Sequence, residues 1–279
     1  MNIVYGSELS KEIKEELKEE IAGYKRKPCL SVVLVGEDPA SVSYVRSKNK
    51  AAVEVGMDYR QIDLPEEASQ EELLKVVDGL NEDEGVDGIL VQLPLPKHLD
   101  EKEVLDHISW KKDVDGLHAV NAGKLYLGEE GFVPCTPQGI IELLKKMEVG
   151  FRGKHAVVIG RSKLVGLPVS KLLLNENCTV TICHSKTEDL AKITSQADIL
   201  VVAIGKPRFI TKEYVKEGAY VIDVGVNRVD GKLCGDVDFE DVKEKCAAIT
   251  PVPKGVGPMT VTMLLKNTVK AYRMKEGEL

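Results

Sequence analysis

A hydroxyl, a phenol and an amine recur at helical spacing early in the chain. Ser41, Tyr44 and Lys48 occupy positions i, i+3 and i+7 of a segment that Pro39 opens as a helix. At about 100° per residue, the three side chains lie within about 60° of one another on one helical face. Such a face can be a solvated surface with a snorkelling lysine. It also follows a buried strand that ends in Gly36, which is where α/β folds bind ligands.

Polar groups at a strand end and in a loop form a second candidate set. Gln92 lies near the end of an apolar strand predicted over 88–93, and a buried amide needs partners. It therefore either bonds nearby backbone or faces a site. Asp113 and Asp115 lie in an irregular loop, where carboxylates are usually turn formers. His118 suggests a general base, but a single loop histidine is weak evidence.

A strand predicted over 156–159 runs into a glycine turn and then a helix, which is the context of a dinucleotide-binding turn. Gly160 can begin such a turn. The spacing departs from GxGxxG, because Ser162 and Val165 stand where glycines are expected and Gly166 comes one residue late. A plain strand–turn–helix remains an equal alternative at this point.

The end of the next strand carries no acid that could bind the ribose 2′-hydroxyl of NAD. It carries His184-Ser185-Lys186-Thr187 instead. Together with Arg161, this segment predicts a cationic, hydroxyl-rich corner suited to a 2′-phosphate. The alternative is that Ser185 or Thr187 caps the following helix, and for Thr187 the capping interpretation is preferred.

The elements that must position these groups alternate between helix and strand, which predicts an α/β fold with parallel sheet. Helices are predicted over 9–21, 39–55, 70–80, 101–108, 140–147, 167–176, 187–197, 212–217, 239–245 and 260–275. Strands are predicted over 30–35, 59–64, 88–93, 156–159, 179–183, 199–204, 220–224 and 248–250. The stretch 111–137 is Gly-rich and irregular, and Thr136-Pro137 resembles an N-cap followed by proline at the first helical position.

Composition excludes several classes of function. The formal net charge of -7 argues against a generally basic nucleic-acid binder. The longest apolar run, 199–205, is far shorter than the roughly 18 residues that a membrane span needs. No signal peptide is recognisable, and six cysteines without a CxxC pattern predict reduced apolar fillers in a cytoplasmic protein. Five scattered histidines support no metal site.

Eight segments, in order along nearly the whole chain, together resemble a known family. They are Tyr44-x-x-x-Lys48, VQLPLP (91–96), KDVDG (112–116), PCTPQG (134–139), GRSKLVGLP (160–168), CHSKT (183–187), DVGVN (223–227) and PVPKGVGPMTV (251–261). The chain is similar to the bifunctional methylenetetrahydrofolate dehydrogenase / methenyltetrahydrofolate cyclohydrolase family.

The resemblance implies two α/β domains with a cleft between them, the second a Rossmann-like doubly wound parallel sheet. Residues 1–120 would bind tetrahydrofolate derivatives, with 258–279 packing back on them, and 121–257 would bind NADP; a homodimer is also implied. The implied catalytic residues are Lys48, supported by Gln92, and Asp115, which would hold the pterin. The implied substrate contacts are Tyr44, which would stack on the folate, and Ser41, Val91, Leu93, Pro251, Val252, Pro253, Gly255, Gly257, Pro258 and Met259. The implied NADP contacts are Gly160, Arg161, Ser162, Ser185, Val226 and Thr136.

One position departs from the family pattern, which reads PVPGGVGP where this chain has Lys254. A lysine there costs energy if the backbone needs a positive φ, and it adds a cation near the folate site. The strength of the cyclohydrolase step is therefore left open. The alternatives are a monofunctional dehydrogenase and a non-catalytic nucleotide-binding module. The chemistry of the hydride step predicts a lowered pKa for Lys48, with Gln92 bonded to its amine.

Overall fold

The computed structural model describes residues 2–278, which fold as a mixed α/β protein. The strands are β1 (Asn2–Ile3), β2 (Cys29–Val35), β3 (Asp58–Leu64), β4 (Gly88–Val91), β5 (His155–Ile159), β6 (Thr179–Cys183), β7 (Ile199–Val202), β8 (Ala219–Asp223), β9 (Asn227–Val229), β10 (Lys232–Cys234) and β11 (Cys246–Ile249). The helices are α1 (Gly6–Ala22), α2 (Pro39–Glu54), α3 (Gln70–Glu82), α4 (Glu101–His107), α5 (Ala119–Leu127), α6 (Cys135–Lys146), α7 (Gly166–Asn175), α8 (Leu190–Thr194), α9 (Phe239–Val242) and α10 (Val256–Glu276). Short 3₁₀ turns cover Lys212–Tyr214 and Lys243–Lys245.

These elements form two compact units. The first unit contains the chain up to Lys11 together with Thr136–Thr260. The second unit contains Glu12–Cys135 and the chain from Val261 onward. Helices α1 and α10 each contribute residues to both units. The sequence-based domain limits at residues 120 and 257 stay a prediction.

The first unit is built on a parallel six-stranded sheet in the order β1–β11–β8–β7–β5–β6. Its central strands are rich in Val, Ile and Leu, and β7 is buried throughout, as expected for a parallel sheet covered on both faces. The chain leaves β5 for β6 on one side and returns as β7 on the other. The carboxyl ends of β5 and β7 therefore form a switch point, where such sheets bind ligands. The predicted Rossmann-like doubly wound sheet is confirmed.

The second unit contains a parallel three-stranded sheet in the order β3–β2–β4. The central strand β2 is buried at every position. Helix α3 begins with a capping box, in which Ser69 and Glu72 each accept the other's backbone N–H. Strand β2 has β3 on one side and β4 on the other, so the ends of β2 and β4 form a second switch point. Helix α2 follows β2 and Gln92 follows β4, so the start of α2 and Gln92 both lie at the carboxyl-terminal edge of this sheet.

Two sequence-based expectations are wrong around residues 111–147. The stretch predicted as irregular contains helix α5, whose N-cap is His118; its Nδ1 accepts the N–H of Val120 over 3.0 Å. An imidazole is an unusual cap, so the sequence offered no start signal. Helix α6 begins at Cys135, so Thr136 lies inside it and is not its N-cap.

Other differences are local. The hairpin of β9 and β10 was not predicted, β4 ends two residues before the expected 93, and α8 is shorter than the predicted 187–197. Helix α10 starts at Val256, four residues before the expected 260. The helices and strands that carry the candidate site residues otherwise lie where the periodicity predicted them.

Candidate active site

An amine–amide pair lies at the switch point of the three-stranded sheet. Lys48 Nζ donates to Gln92 Oε1 over 2.7 Å, and Gln92 Nε2 donates to the carbonyl of Leu93 over 2.5 Å. The Gln92 backbone N–H donates to Val33 O, which continues the sheet register by one residue. Both the oxygen and the nitrogen of the Gln92 side-chain amide are therefore hydrogen-bonded. The sequence left open whether Gln92 bonds backbone or faces a site; the structure shows that it bonds the backbone of Leu93 and the amine of Lys48, and its place in a site stays a prediction.

Burial lowers the pKa of the Lys48 amine, while the nearby Asp115 and Cys135 act in the opposite direction. Desolvation penalises the charged ammonium, and the amide oxygen of Gln92 accepts one of its hydrogens. A lysine in this setting can release and recapture a proton more easily than an exposed one. The lowered pKa predicted from the sequence is present.

The side chain of Asp113 holds the loop before α5 in place through hydrogen bonds. Its side-chain oxygens accept the N–H groups of Leu117 and His118 and the Nδ2 of Asn121, over 3.2, 2.8 and 2.8 Å. Asp113 is buried, and burial raises the pKa of its carboxyl. Of the two loop carboxylates, Asp113 thus builds the loop, while Asp115 stays partly exposed beside Lys48. His118 is occupied as a helix cap, which argues against its suggested role as a general base.

Cys135 joins this group, although cysteines without a CxxC pattern are expected to be apolar fillers. Its buried thiol donates to Val114 O over 3.3 Å and lies within electrostatic reach of Lys48 and Asp115. Burial and the Asp115 carboxylate raise the pKa of this thiol well above its usual value. A neutral thiol is therefore a packing and hydrogen-bonding group here. Its place inside PCTPQG was the signal that could have drawn attention to it.

The other predicted substrate contacts of this unit differ in exposure. Tyr44 is 50% exposed, so its ring is available for stacking. Ser41 is buried, and its backbone N–H donates to the N-cap carboxylate of Asp38 over 2.8 Å. Val91 is buried and Leu93 half-buried at the end of β4. Their contacts with substrate stay predictions.

The glycine turn in the first unit fits a dinucleotide. Gly160 has a φ of +130°, and a Cβ there would lie 2.3 Å from the carbonyl oxygen of Ala203, which follows β7. A Cβ on Gly166 would lie 2.2 Å from Gly160 O, so the late glycine allows the turn to close against the start of α7. Helix α7 begins there with no side-chain cap from Val165, its N-cap residue. The turn thus presents a helix N-terminus at the switch point, as phosphate binding requires.

The residues predicted to contact NADP flank this turn. Arg161, Ser162 and Ser185 are exposed. Ser162 Oγ also accepts the N–H of Val165 over 3.1 Å, so it shapes the turn and keeps a hydroxyl hydrogen to donate. Thr187 Oγ1 accepts the N–H of His184 over 2.8 Å, so it closes a turn and does not cap α8, which begins three residues later.

Two further predicted cofactor contacts lie in the same unit. Val226 is 52% exposed in the loop after β8, although it lies between the buried Gly225 and the half-buried Asn227. Thr136 shares a hydrogen bond of 2.9 Å with the hydroxyl of Thr260. Thr136 thus ties the start of α6 to α10, and its contact with NADP stays a prediction.

The loop predicted to line the folate site, from Pro251 to Met259, is tightly built. A Cβ on Gly255 would lie 2.3 Å from Pro251 O, so packing inside the loop already requires a glycine there. Gly257 has open space around it. Pro253 is exposed, Val252 and Pro258 are half-buried, and Met259 is buried. Their contacts with folate stay predictions.

Lys254 has a φ of +78°, so the residue that departs from the family pattern does occupy a left-handed conformation. Its side chain is exposed, and its carbonyl accepts the N–H of Ser7 over 3.1 Å. A non-glycine residue in this region costs on the order of 1–3 kcal/mol. Nothing in the structure explains the substitution.

We expect Lys254→Gly to raise the free energy of unfolding by about 1 kcal/mol, because strain is relieved and part of the gain is lost to unfolded-state entropy. Lys254→Ala is the matched control, since it removes the amine and keeps the strain. Urea unfolding of the three proteins measures the difference. Equal midpoints for the glycine and alanine variants would contradict a cost at this backbone position.

The cyclohydrolase activity that the family resemblance implies separates charge from strain in the same variants. If the amine crowds the folate, both variants hydrolyse methenyltetrahydrofolate faster than wild type, while hydride transfer stays within a few-fold. If the amine faces solvent in the complex as well, all three proteins have the same two activities.

No group of three or more His, Cys, Asp or Glu side chains among residues 2–278 is arranged to hold a metal ion. Within the same residues, no helix is long and apolar enough to span a bilayer.

Comparison with known proteins agrees with this geometry. Residues 4–115 match the family model of the tetrahydrofolate dehydrogenase/cyclohydrolase catalytic domain, and residues 134–276 match that of its NAD(P)-binding domain. A bifunctional protein FolD from Exiguobacterium sibiricum is 58% identical over 97% of this chain and 99% of its own length. The crystal structure of a bifunctional FolD methylenetetrahydrofolate dehydrogenase/cyclohydrolase from Campylobacter jejuni superposes with a TM-score of 0.97 at 50% identity, covering 100% of both chains.

A third relative bears on the cofactor. The dehydrogenase–cyclohydrolase of Trypanosoma brucei, solved with NADP cofactor and an inhibitor, superposes with a TM-score of 0.93 at 43% identity, covering 98% of this chain and 97% of its own. Both family models and these relatives together extend over nearly all of the sequence, so the chain belongs to the tetrahydrofolate dehydrogenase/cyclohydrolase family.

Proposed function

We propose that this protein oxidises 5,10-methylenetetrahydrofolate to 5,10-methenyltetrahydrofolate with NADP and then hydrolyses the product to 10-formyltetrahydrofolate. Membership of the family supports both activities. The observation that carries the proposal is the half-buried Lys48, whose amine is partly desolvated and bonded to Gln92 beside the Asp115 carboxylate. A non-catalytic nucleotide-binding module would have no use for a desolvated lysine of this kind.

The hydride step needs orientation more than proton transfer. NADP, when bound, accepts a hydride from the methylene carbon of the substrate. Positive charge then develops on the folate, and a fully charged ammonium nearby would oppose it. The lowered pKa of Lys48 reduces that repulsion, and the Asp115 carboxylate is of the sign that favours a cation. Tyr44 would stack on the folate and hold its plane.

Hydrolysis needs a group that takes a proton from water and returns one to a departing ring nitrogen. The neutral amine of Lys48 can take the proton from water, and its charged form can return one to the nitrogen. Burial lowers the pKa of this amine, which makes the neutral form more accessible. Gln92 Oε1 fixes the direction of the amine, and its own Nε2 is anchored on Leu93 O. Water addition at the methenyl carbon followed by ring opening yields the formyl product.

NADP is the cofactor that the first unit would hold. Gly160 lets the pyrophosphate approach the start of α7. Arg161 and Ser185 supply a cation and a hydroxyl for the 2′-phosphate, and no acid that would repel it ends β6. Val226 would offer an apolar contact. A cytoplasmic location is part of the proposal, since all six cysteines have free, buried thiols.

The test supplies each half-reaction separately to the purified protein. With methylenetetrahydrofolate and NADP, NADPH should form; with methenyltetrahydrofolate and no nucleotide, the methenyl absorbance should decay faster than in buffer. NADPH formation without accelerated decay would leave a monofunctional dehydrogenase, the alternative that Lys254 motivates. Absence of both activities would leave a binding module.

We also propose that two copies associate through β6. This strand is an edge of the six-stranded sheet and exposes Ile182, and Leu174 on the adjacent α7 is 55% exposed. No proline or lysine protects the strand itself from pairing. Two copies related by a twofold axis could pair their β6 edges and bury these side chains against each other.

Ile182→Lys should therefore weaken the dimer by more than about 100-fold, because two isoleucines, each contributing about 1.5–3 kcal/mol when buried, give way to two like charges. Sedimentation velocity over a range of concentrations measures the change. Leu233→Lys on β10, which replaces another exposed apolar side chain, is the control and should leave the association unchanged. A monomeric wild type, or a variant that associates equally well, would contradict this interface.

A further inference from the structure

Two buried carboxyl groups in the first unit have no part in the proposed chemistry. Asp223 ends β8, and Asp236 follows β10; their exposed fractions are 3% and 0%. Buried carboxylates are expensive unless they are bonded, so their partners indicate what they do.

Asp236 joins two loops that are far apart in sequence. Its Oδ2 accepts the N–H of Ile204 over 2.7 Å and that of Gly205 over 2.9 Å. Its Oδ1 accepts Asn227 Nδ2 over 2.9 Å. The carboxylate thus fixes the segment after β7 and the start of β9 with one rigid group.

Asp223 holds Asp236 in turn. Its Oδ1 accepts the N–H groups of Gly225 and Asp236, over 3.1 and 2.9 Å, and its Oδ2 accepts the N–H of Val237 over 3.0 Å. A Cβ on Gly235 would lie 1.7 Å from Asp223 Oδ2, so the backbone passes directly against the carboxylate. The two acids form one network, which we call the Asp223–Asp236 network.

This network has little capacity left for a ligand. Each carboxylate accepts three protein donors, out of roughly four lone-pair sites, and neither is exposed to solvent. An acid that contacts the ribose of a nucleotide would need a free, accessible oxygen. The network therefore acts through the backbone that it holds.

The segments it holds are those that border the nucleotide turn. Ala203, which precedes Ile204, places its carbonyl oxygen 2.3 Å from the position that a Cβ on Gly160 would take. Val226 lies between Gly225, which is bonded to Asp223, and Asn227, which is bonded to Asp236. The network thus supports one wall of the Gly160 turn and both flanks of the exposed Val226.

We propose that Asp236, held by Asp223, is a positioning residue for NADP: it fixes the loops after β7 and β8 in the shape that accepts the cofactor. This proposal rests on the proposed function. It differs from a general role in folding, because the network is expected to affect cofactor binding while the folate chemistry at Lys48 and Gln92 continues.

The test is Asp236→Asn in the full-length protein, with Asp238→Asn as the matched control. Asp238 lies two residues away and makes no side-chain cap bond with α9. The asparagine at 236 keeps the shape of the carboxylate, loses its charge and turns an amide group toward N–H donors. We expect the Kd and KM for NADP to rise about tenfold in Asp236→Asn and to stay near wild type in Asp238→Asn.

Two readouts separate positioning from misfolding. Fluorescence titration with NADP gives Kd without turnover, at one fixed pH because burial raises the pKa of Asp223 to about 7. Hydrolysis of methenyltetrahydrofolate without nucleotide should stay within about twofold of wild type if the second unit is untouched. If Asp236→Asn does not fold, Asn227→Ala removes one bond of the network and should shift Kd in the same direction by a smaller factor.

An unchanged Kd for NADP would overturn the proposal and leave the network as part of the core. An equal fall in both activities would also overturn it, since it would indicate a general structural role. Failure of the proposed function is distinguishable, because it would appear in the wild type as the absence of NADP binding or of substrate oxidation.

Discussion

Lys48→Met is expected to lower the cyclohydrolase rate by about 10²–10⁴-fold, which is the usual contribution of general acid–base catalysis. Methionine keeps much of the apolar stem and removes the amine that Gln92 holds at 2.7 Å. Hydride transfer should lose less, because no proton has to leave the carbon and the residue contributes to that step only by positioning. Single-turnover measurement of each step on the purified variant gives the two losses separately.

Lys48→Arg is the matched control for charge. An arginine side chain stays protonated, so it keeps a cation at the site and supplies no base. The cyclohydrolase rate should fall with arginine as it does with methionine, whereas a purely electrostatic role would be partly rescued. Equal losses of both steps in Lys48→Met would mean that Lys48 mainly orients the folate, and the general base would have to be sought elsewhere.

The pH dependence of hydrolysis follows from the same group. Burial lowers the pKa of Lys48, and the neutral amine is the form that accepts a proton from water. In the wild type, the cyclohydrolase rate should therefore rise with pH until that lowered pKa is passed and then level off. The rise should be absent in Lys48→Met.

Arg161→Ala is expected to raise the KM for NADP by roughly 10–150-fold and to change the KM for NAD far less. The estimate corresponds to the loss of one charge-assisted phosphate contact of about 1.5–3 kcal/mol. Arg161 is exposed at the turn that Gly160 opens, so the substitution should leave the fold intact. Initial rates with each nucleotide, at saturating methylenetetrahydrofolate, measure the effect.

Lys163→Ala provides the comparison, since it removes another exposed cation from the same turn. Because salt screens an exposed charge, Lys163→Ala should raise the KM for NADP by no more than about threefold. A wild-type enzyme that prefers NAD at equal concentration would contradict the assignment of this corner to a 2′-phosphate. An equal rise in the KM for NADP and for NAD in Arg161→Ala would also contradict that assignment.

The parts of the site that could be predicted are those that depend on a short segment of the sequence. The spacing from Ser41 to Lys48, and a glutamine near the end of a buried strand, are visible in the sequence, because each depends on one element and its edge. Parallel pairing of β2 with β4 then brings α2 and Gln92 to the same switch point. The glycine turn was ambiguous in the sequence, since Gly166 is displaced by one residue. Its role depends on a contact with Gly160 O that only the fold provides.

Other features were missed for two different reasons. The hairpin of β9 and β10 has a signal in Asp230-Gly231, both with positive φ, which is the pair typical of a tight hairpin turn. Helix α5 has no such signal in the sequence, because its N-cap is the imidazole of His118, which is an unusual capping group. The Asp223–Asp236 network could not be inferred at all, since Asp236 bonds N–H groups more than 30 residues earlier in the chain, and no local pattern encodes such a contact.

A single-turnover reaction tests most directly whether one polypeptide performs both steps. Excess wild-type protein is mixed with methylenetetrahydrofolate and NADP, and the absorbances of NADPH and of the methenyl intermediate are followed together. We predict one NADPH per substrate, with a methenyl signal that rises and then decays to 10-formyltetrahydrofolate faster than it decays in buffer. Stoichiometric NADPH with a methenyl signal that persists as it does without protein would contradict the account.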